Sequence, residues 1–273
     1  MRYLNTLRMV DRQLRIAASP LAPGVSPVLI RCRQYGAGTP VVILHGGWGY
    51  DIYPFDRQIA ALSPHHRVIV PDRTGYGGSG RLEVQPPDFH QRAAEETVAV
   101  LDALDMDRAV LWGHSDGAVI ALRLALTAPD RVIAIVAEAT HFFRRKPASR
   151  AFFETMANAP DRLGERVVAT LEREHGERWR SLIQANGLAW QQIADRAESD
   201  DADLYDGRLS DLRVPVLLIH GINDPRTEPG ELDALCAAIP GTRCERLAGA
   251  GHSPHSERAT ADRVTAIATA WIR

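Results

Sequence analysis

Three residues in this sequence have the types and the chain order of a nucleophile, an acid and a base. Ser115 lies in Gly-His-Ser-Asp-Gly, a G-x-S-x-G pattern over residues 113–117. Asp224 follows the apolar run VPVLLIHG, and His252 lies in a glycine-containing loop before the final helical segment. A serine hydroxyl is a weak nucleophile that needs a neighbouring base, and the base needs an acid to fix its tautomer. The pattern predicts Ser115, His252 and Asp224 as a catalytic triad.

A glycine-rich stretch supplies candidate donors for a developing oxyanion. The sequence HGGWG, residues 45–49, follows an apolar run that begins at residue 40. Its glycines allow the backbone to approach a substrate closely, so an N–H there can stabilise a tetrahedral oxyanion. We expect Gly47 to donate one N–H, with Trp48 as the alternative. The N–H of Asp116, directly after the serine, is the expected second donor.

Neighbouring residues compete for the acid and base roles. His255 lies one helical turn past His252, and Glu138 ends an apolar run, where an alternative acid would fit. The glycines before His252 and the Ser-Pro after it favour His252 as the base. His114 adjoins the serine, but consecutive side chains at a sharp turn point in different directions. We therefore expect His114 to be packed behind the turn.

A carboxylate directly after a nucleophile is electrostatically unusual. At about 6 Å from an oxyanion, with an effective dielectric near 20, its repulsion would be about 3 kcal/mol. Asp116 either lies in the first turn of the helix, where the dipole favours negative charge and the side chain can cap N–H groups, or faces the pocket. In the pocket it would pair with a substrate cation or with Arg144 or Arg145. Both interpretations stay open at this point.

Short apolar runs rich in Val, Ile and Leu alternate with stretches of helical periodicity. Such runs are typical of strands in a parallel sheet that is covered on both faces. The alternation predicts an α/β fold with a mostly parallel, doubly wound sheet and right-handed crossovers. The predicted strands span residues 40–47, 66–72, 108–114, 131–139 and 214–221, with helices over 91–106 and 117–130. Residues 10–18 and 27–35 are predicted as an edge hairpin.

The alternation stops between residues 141 and 210, where the sequence has helical patterns and no convincing strand. This segment is too long for a plain loop, so we expect a helical cap over the C-terminal ends of the strands, where open α/β sheets bind ligands. Residues 1–140 and 211–273 form the predicted core. Trp48, Phe142 and Trp190, with the Asp116 side chain, are the predicted contacts with a small-molecule substrate.

Five segments, in family order, resemble the α/β-hydrolase superfamily: HGGWG, PDRTGYGGSG, GHSDG, HGINDP and GAGHSPHSE. The resemblance covers nearly the whole chain, and residues 141–210 fall where that superfamily has its cap. Within it, the Ser-Asp-Gly sequence and the cap segment RWRSLIQANGLAW are similar to the valacyclovir-hydrolase-like (biphenyl-hydrolase-like) branch.

The resemblance implies a serine hydrolase without a cofactor, which cleaves a small carboxylic ester, a lactone or a thioester through an acyl-enzyme. Carbon–carbon bond hydrolysis, amide hydrolysis and acyl transfer use the same triad and stay open. A non-catalytic small-molecule receptor with this fold is the alternative of another class. The nucleophile being serine and not aspartate argues against the dehalogenase and epoxide-hydrolase branches.

Composition excludes several other classes of protein. The 32 Lys and Arg nearly balance the 34 Asp and Glu, so the formal net charge of -2 predicts no nucleic-acid and no anionic-membrane partner. Cys32, Cys236 and Cys244 are too few and too far apart for a disulfide framework or a zinc site, and the histidines lack metal-ligand spacing, so we predict no metal. The N-terminal sequence lacks the apolar stretch of a signal peptide, and no run is long enough to span a membrane. We expect a cytoplasmic protein.

One motif points to a cofactor and is rejected on its context. Residues 75–80, GYGGSG, match G-x-G-x-x-G after a strand, with Glu95 and Glu96 downstream. A dinucleotide site requires a helix to open within the glycines, but Pro86 and Pro87 follow shortly after them. We expect a tight turn, with Asp72 and Arg73 bracing neighbouring loops.

Overall fold

One eight-stranded sheet organises the chain. The structure is a computed structural model that describes residues 8–273. The strands are β1 Met9–Ile16, β2 Val28–Tyr35, β3 Thr39–Leu44, β4 His66–Pro71, β5 Ala109–His114, β6 Val132–Glu138, β7 Val216–Gly221 and β8 Arg243–Leu247. Their order in the sheet is β1-β2-β4-β3-β5-β6-β7-β8. The β1–β2 and β2–β4 pairs are antiparallel, and the pairs from β4 through β8 are parallel.

Eight α-helices accompany these strands in the described residues. They are α1 Asp56–Leu62, α2 Phe89–Ala103, α3 Asp116–Thr127, α4 Arg150–Asn158, α5 Glu165–His175, α6 Trp179–Asp195, α7 Glu231–Ala238 and α8 Ala261–Ile272. Helix α3 ends before Pro129, which lacks the N–H that a continuing helix requires.

The strands are apolar on both faces because helices cover both sides of the sheet. Along β3, Val42 and Leu44 belong to the core that includes α2 and α3, whereas Val41 and Ile43 belong to the core that includes α1 and α8. Successive strand side chains point to opposite faces, so the near-continuous apolar run serves two cores at once. The fold is the predicted α/β-hydrolase architecture.

Residues 141–210 lie between β6 and β7 and contain helices α4, α5 and α6. No strand occurs in this segment, apart from a single bridge between Phe143 and Asp203. Helices α4 and α6 pack together, and their buried aromatic residues join the core on the α2–α3 side of the sheet. The segment is the one expected to form a cap.

The structure corrects several sequence-based boundaries. The predicted strand over 40–47 ends at Leu44, so HGGWG is a loop. Strand β8 was not predicted, because it is an edge strand whose sequence RCERL is mostly polar. Helices α1 and α7 were also not predicted.

The expectation for the cysteines is wrong in one respect: Cys236 of α7 and Cys244 of β8 are joined by a disulfide, and Cys32 is a buried free thiol. Across the described part of the chain, no helix has both the length and the apolar character of a membrane span.

Candidate active site

Ser115 lies at the sharp turn between β5 and α3. Its backbone has φ 56° and ψ -122°, a conformation that non-glycine residues rarely adopt. The turn accepts only small neighbours, because a Cβ on Gly113 would collide with the backbone of Gly117, and a Cβ on Gly117 with the carbonyl of Leu44. This is the physical reason for the G-x-S-x-G pattern. The turn presents Ser115 to a cavity at the carboxyl ends of the strands.

The structure brings the three predicted triad residues together. His252 Nε2 lies 3.0 Å from Ser115 Oγ, and His252 Nδ1 lies 2.8 Å from Asp224 Oδ2. The carboxylate can only accept, so Nδ1 carries the proton and Nε2 presents its lone pair to the serine hydroxyl, which donates. In this arrangement the imidazole can remove the serine proton as the hydroxyl attacks a carbonyl.

Charges around the triad favour an ionised acid and a neutral base. Burial alone would raise the pKa of Asp224, but the charge of His252 and hydrogen bonds with His220 and His252 hold that pKa well below its usual range. Burial, together with the Arg226 charge, lowers the pKa of His252 to about 4, against the opposing effect of Asp224. His252 is therefore a proton acceptor at neutral pH.

The HGGWG loop packs directly over the nucleophile turn. A Cβ on Gly46 would lie 3.2 Å from Ser115 Cβ, and a Cβ on Gly47 would lie 2.6 Å from Asp116 Oδ2. Both glycines are needed for this approach. Asp116 is the first residue of α3, so its N–H has no acceptor inside the helix, whereas the N–H groups of Ala118 and Val119 donate to the Ser115 carbonyl. The arrangement accommodates the two predicted oxyanion donors, Gly47 and Asp116, whose role stays a prediction.

Two cap residues at the end of α5 hold this loop. Glu174 accepts hydrogen bonds from the N–H groups of Tyr50, at 2.7 Å, and Asp51, at 3.0 Å. His175 Nε2 donates to the carbonyl of Trp48 at 3.0 Å, because its Nδ1 accepts a backbone N–H. The loop over the nucleophile is thus fixed by the cap. No sequence motif marks Glu174 or His175.

A small, partly open cavity adjoins Ser115. Its volume is about 30 Å³, which is room for about two water molecules. Its aromatic and sulfur-containing lining consists of Trp48, Tyr53, Phe152, Phe153, Met156 and Trp190, and its other lining residues are Gly46, Gly47, His114, Ser115, Asp116, His141, Asn186, Arg226 and His252. The predicted contacts Trp48, Asp116 and Trp190 are among them.

The sequence that forms this site matches a known protein family. A family model described as "Alpha/beta hydrolase family" matches residues 41–266. The chain belongs to this family. The match includes every segment of the candidate site, from the HGGWG loop to the loop of His252.

Relatives of this hydrolase are named for different activities. The chain is 31% identical over 239 residues to a putative carbamate hydrolase RutD of Azorhizobium caulinodans, covering 80% of this chain and 86% of the relative. It is also 31% identical over 248 residues to a pimeloyl-[acyl-carrier protein] methyl ester esterase of Nitrosomonas europaea, covering 82% and 93%. A thermophilic esterase of Thermogutta terrifontis, solved with malate bound, has a TM-score of 0.71 at 24% identity, covering 97% of this chain and 98% of that one.

In this hydrolase the Asp116 carboxylate anchors the cap. Asp116 is 1% exposed, and its Oδ1 accepts from His90 Nε2 at 3.0 Å and Trp190 Nε1 at 3.2 Å. Its Oδ2 accepts from Asn186 Nδ2 at 3.1 Å. Burial alone would raise the pKa of Asp116, but the hydrogen bond from His90 and nearby positive charge lower it. Asn186 and Trp190 belong to α6, so the residue after the nucleophile joins the core to the cap.

Two expectations about the pocket are wrong. Arg144 and Arg145 do not pair with Asp116, because they form ion pairs with Asp206 and Asp200 at the cap surface. Phe142 does not line the cavity. Its ring packs against Phe143 and Tyr205, and its N–H donates to Glu231.

Sequence reasoning missed His141, the nearest additional group to the nucleophile. Its Nε2 lies 3.4 Å from Ser115 Oγ, and its ring lies nearly parallel to that of His252, with 5.8 Å between ring centroids. Burial and nearby positive charge lower the pKa of His141 well below its usual value, so the ring is neutral. The available signal was its position just past the end of β6, at the sheet edge where ligands bind.

The alternative acid and base form a separate pair. His255 Nδ1 lies 2.8 Å from Glu138 Oε1, and the other carboxylate oxygen accepts from Trp112 Nε1 at 3.2 Å. His255 Nε2 lies 3.0 Å from the carbonyl oxygen of Tyr53, so neither ring nitrogen faces the serine. As expected, His114 is packed, with Nε2 donating to the carbonyl of His252 at 2.9 Å.

The GYGGSG stretch forms the expected turn. Asp72 accepts hydrogen bonds from Arg33, at 2.5 Å, and from the N–H of Gly78, at 3.0 Å. Arg73 donates to the carbonyls of His45 and Gly46. Arg73 therefore supports the HGGWG loop, whereas Asp72 joins the GYGGSG turn to β2.

Proposed function

We propose that this hydrolase cleaves small carboxylic esters with Ser115 as nucleophile, His252 as base and Asp224 as the acid that orients it. The observation that supports this most strongly is the continuous set of contacts from Asp224 through His252 to Ser115, at 2.8 Å and 3.0 Å, which ends on a serine in a strained turn. Such strain persists where the surrounding structure enforces it, and it is concentrated at active sites.

In the proposed reaction, Ser115 Oγ attacks the ester carbonyl and its proton passes to His252 Nε2. The oxyanion accepts hydrogen bonds from the N–H groups of Gly47 and Asp116. The intermediate collapses, the alcohol leaves with the proton from His252, and the acyl group stays on Ser115. Water then attacks the acyl-enzyme, gives a proton to His252, and the carboxylic acid is released as that proton returns to Ser115.

The cavity supports a short acyl group as the preferred substrate. It holds about two water molecules, and aromatic side chains of the cap line it. Two of these rings, Phe153 and Trp190, are stacked with centroids 5.0 Å apart and limit the space beside Ser115. Lactones and thioesters present the same carbonyl to the serine.

The test is hydrolysis of p-nitrophenyl acetate, butyrate and octanoate by the wild type and by Ser115→Ala. We expect a burst of p-nitrophenol in the wild type, rates that fall from acetate to octanoate, and no burst in the variant. Wild-type and variant rates that both equal the buffer rate would contradict an esterase that accepts simple acyl groups.

Carbamate hydrolysis is the second candidate. The relative from Azorhizobium caulinodans, which is named a putative carbamate hydrolase, matches 80% of this chain, and a carbamate carbonyl can undergo the same attack. His141 is a second imidazole beside Ser115 that can donate a hydrogen bond to a nitrogen-bearing group. A carbamate hydrolase would release ammonia, with methanol and carbon dioxide, from methyl carbamate faster than it releases methanol from methyl acetate, whereas the proposed esterase shows the reverse order.

A further inference from the structure

Arg226 is a cation in the lining of the Ser115 cavity, close to the triad acid in sequence. Its backbone N–H donates to Asp224 Oδ1 at 2.9 Å, which fixes the start of the side chain beside the triad. Its guanidinium carbon lies 4.3 Å from the ring centroid of Phe152 and 4.9 Å from that of Trp48. Two adjacent rings of the cavity lining thus hold the guanidinium in place by cation–π contact.

The Arg226 guanidinium has no carboxylate partner within residues 8–273, and no hydrogen bond from its side chain is formed there either. Three arginines of the cap, residues 141–210, differ in this respect. Arg144 pairs with Asp206, Arg145 with Asp200, and Arg180, which also lies over an aromatic ring, pairs with Asp161. A guanidinium has five N–H donors in a planar fork that matches a carboxylate. Ring contacts leave those donors available.

The charges around Arg226 leave it as the group that an anion would meet. The Asp116 carboxylate already accepts three hydrogen bonds, from His90, Asn186 and Trp190. The Asp224 carboxylate is engaged with His252. The Arg226 charge contributes to lowering the pKa of His114, His141 and His252, so these imidazoles are neutral and near enough to sense it.

We propose that Arg226 binds an ionised carboxylate of the substrate, so that this hydrolase prefers esters of small acids that carry a second, ionised carboxyl group. The inference rests on the proposed esterase function and names its substrate class. It also reverses the sequence-based option that Asp116 receives a substrate cation, since the free charge in the cavity is positive.

The test compares the methyl half-esters of malonic, succinic and glutaric acids with the matching methyl ester carboxamides, which have nearly the same shape and no charge. For at least one of the three pairs, we expect the kcat/KM of the wild type to be about tenfold higher for the half-ester than for its carboxamide, as a charge-assisted hydrogen bond would give. In Arg226→Gln this ratio should fall toward one, and Arg226→Lys should keep part of it. The control Arg180→Gln, a ring-stacked arginine outside the cavity, should keep the wild-type ratio.

A ratio near one in the wild type for all three pairs, or a ratio that survives Arg226→Gln, would overturn the proposal. Binding separates this failure from failure of the esterase function. In a Ser115→Ala background, glutarate and succinate should change the tryptophan fluorescence of Trp48 and Trp190, and adding Arg226→Gln should weaken that binding about tenfold. Dicarboxylate binding that depends on Arg226, without turnover of any ester, would support the anion site and contradict the esterase. Binding that is insensitive to Arg226→Gln would contradict the anion site.

Discussion

Two imidazole–carboxylate pairs lie on either side of His114 in this hydrolase, His252 with Asp224 and His255 with Glu138. In each pair the Nδ1 atom lies 2.8 Å from a carboxylate oxygen, and all four side chains are buried. The pairs differ at the other ring nitrogen. Nε2 of His252 faces the Ser115 hydroxyl, whereas Nε2 of His255 faces the carbonyl oxygen of Tyr53.

This difference decides which histidine can do chemistry. A carbonyl oxygen accepts and never donates, so Nε2 of His255 is engaged with an acceptor and is turned away from Ser115. His255 also stacks on Phe55, with 3.7 Å between ring centroids. His255 and Glu138 therefore form a buried pair that connects the loop of His252 to β6. An imidazole paired with a carboxylate can act as a base only when the lone pair of its second nitrogen is free to accept a proton.

The largest expected contrast comes from neutralising the two carboxylates in turn. Asp224→Asn should lower kcat by about 10⁴-fold, because the amide favours the wrong tautomer of His252 and does not stabilise its charged form. Glu138→Gln should leave kcat within about tenfold and lower the free energy of unfolding by about 3 kcal/mol, since it disrupts buried hydrogen bonds that Glu138 accepts from His255 and Trp112. The measurements are p-nitrophenyl acetate hydrolysis and urea unfolding.

If Asp224→Asn unfolds at the same urea concentration as the wild type, its loss of activity comes from the lost chemistry and not from a lost fold. A Glu138→Gln variant that is fully folded yet as inactive as Asp224→Asn would contradict the structural role of the second pair.

A smaller effect is expected in the pH dependence. Protonation of His252 removes the base, so kcat/KM should fall as the pH drops through the pKa of His252. Burial and the Arg226 charge lower that pKa to about 4, so kcat/KM at pH 5.5 should remain within about twofold of its value at pH 7.5. The measurement is the pH profile of kcat/KM with a neutral ester. A tenfold loss by pH 5.5 would indicate a base with an ordinary histidine pKa.

Much of the fold and of the candidate triad could be predicted from local sequence. Each parallel strand can be predicted from its own sequence, because burial on both faces makes the strand a continuous apolar run. Ser115 is marked by glycines that the turn requires, and Asp224 and His252 follow in an order that fits the resemblance. Strand β8 could not be predicted, because it lies at the exposed edge of the sheet, where a strand can carry charged residues.

Contacts between distant segments did not follow from sequence. The partners of Asp116 are Asn186 and Trp190, which a cap helix brings from far along the chain. The hydrogen bonds that Glu174 accepts from Tyr50 and Asp51, directly after the HGGWG loop, likewise join segments that are far apart in the chain. Glu138 pairs with His255, and Asp224 pairs with His252. Tertiary packing decides this pairing, because it sets which carboxylate each histidine reaches.

The most direct test of the account is the rate at which a fluorophosphonate labels Ser115, followed by intact-protein mass, in the wild type, His252→Ala, His255→Gln and Glu138→Gln. Near-ultraviolet circular dichroism identifies the variants that keep their fold. We predict that His252→Ala slows labelling by about 10⁴-fold or more, while the folded variants of the second pair label within about tenfold of the wild type. Rapid labelling in His252→Ala, or its loss in both folded variants of the second pair, would contradict the assignment of His252 as the base.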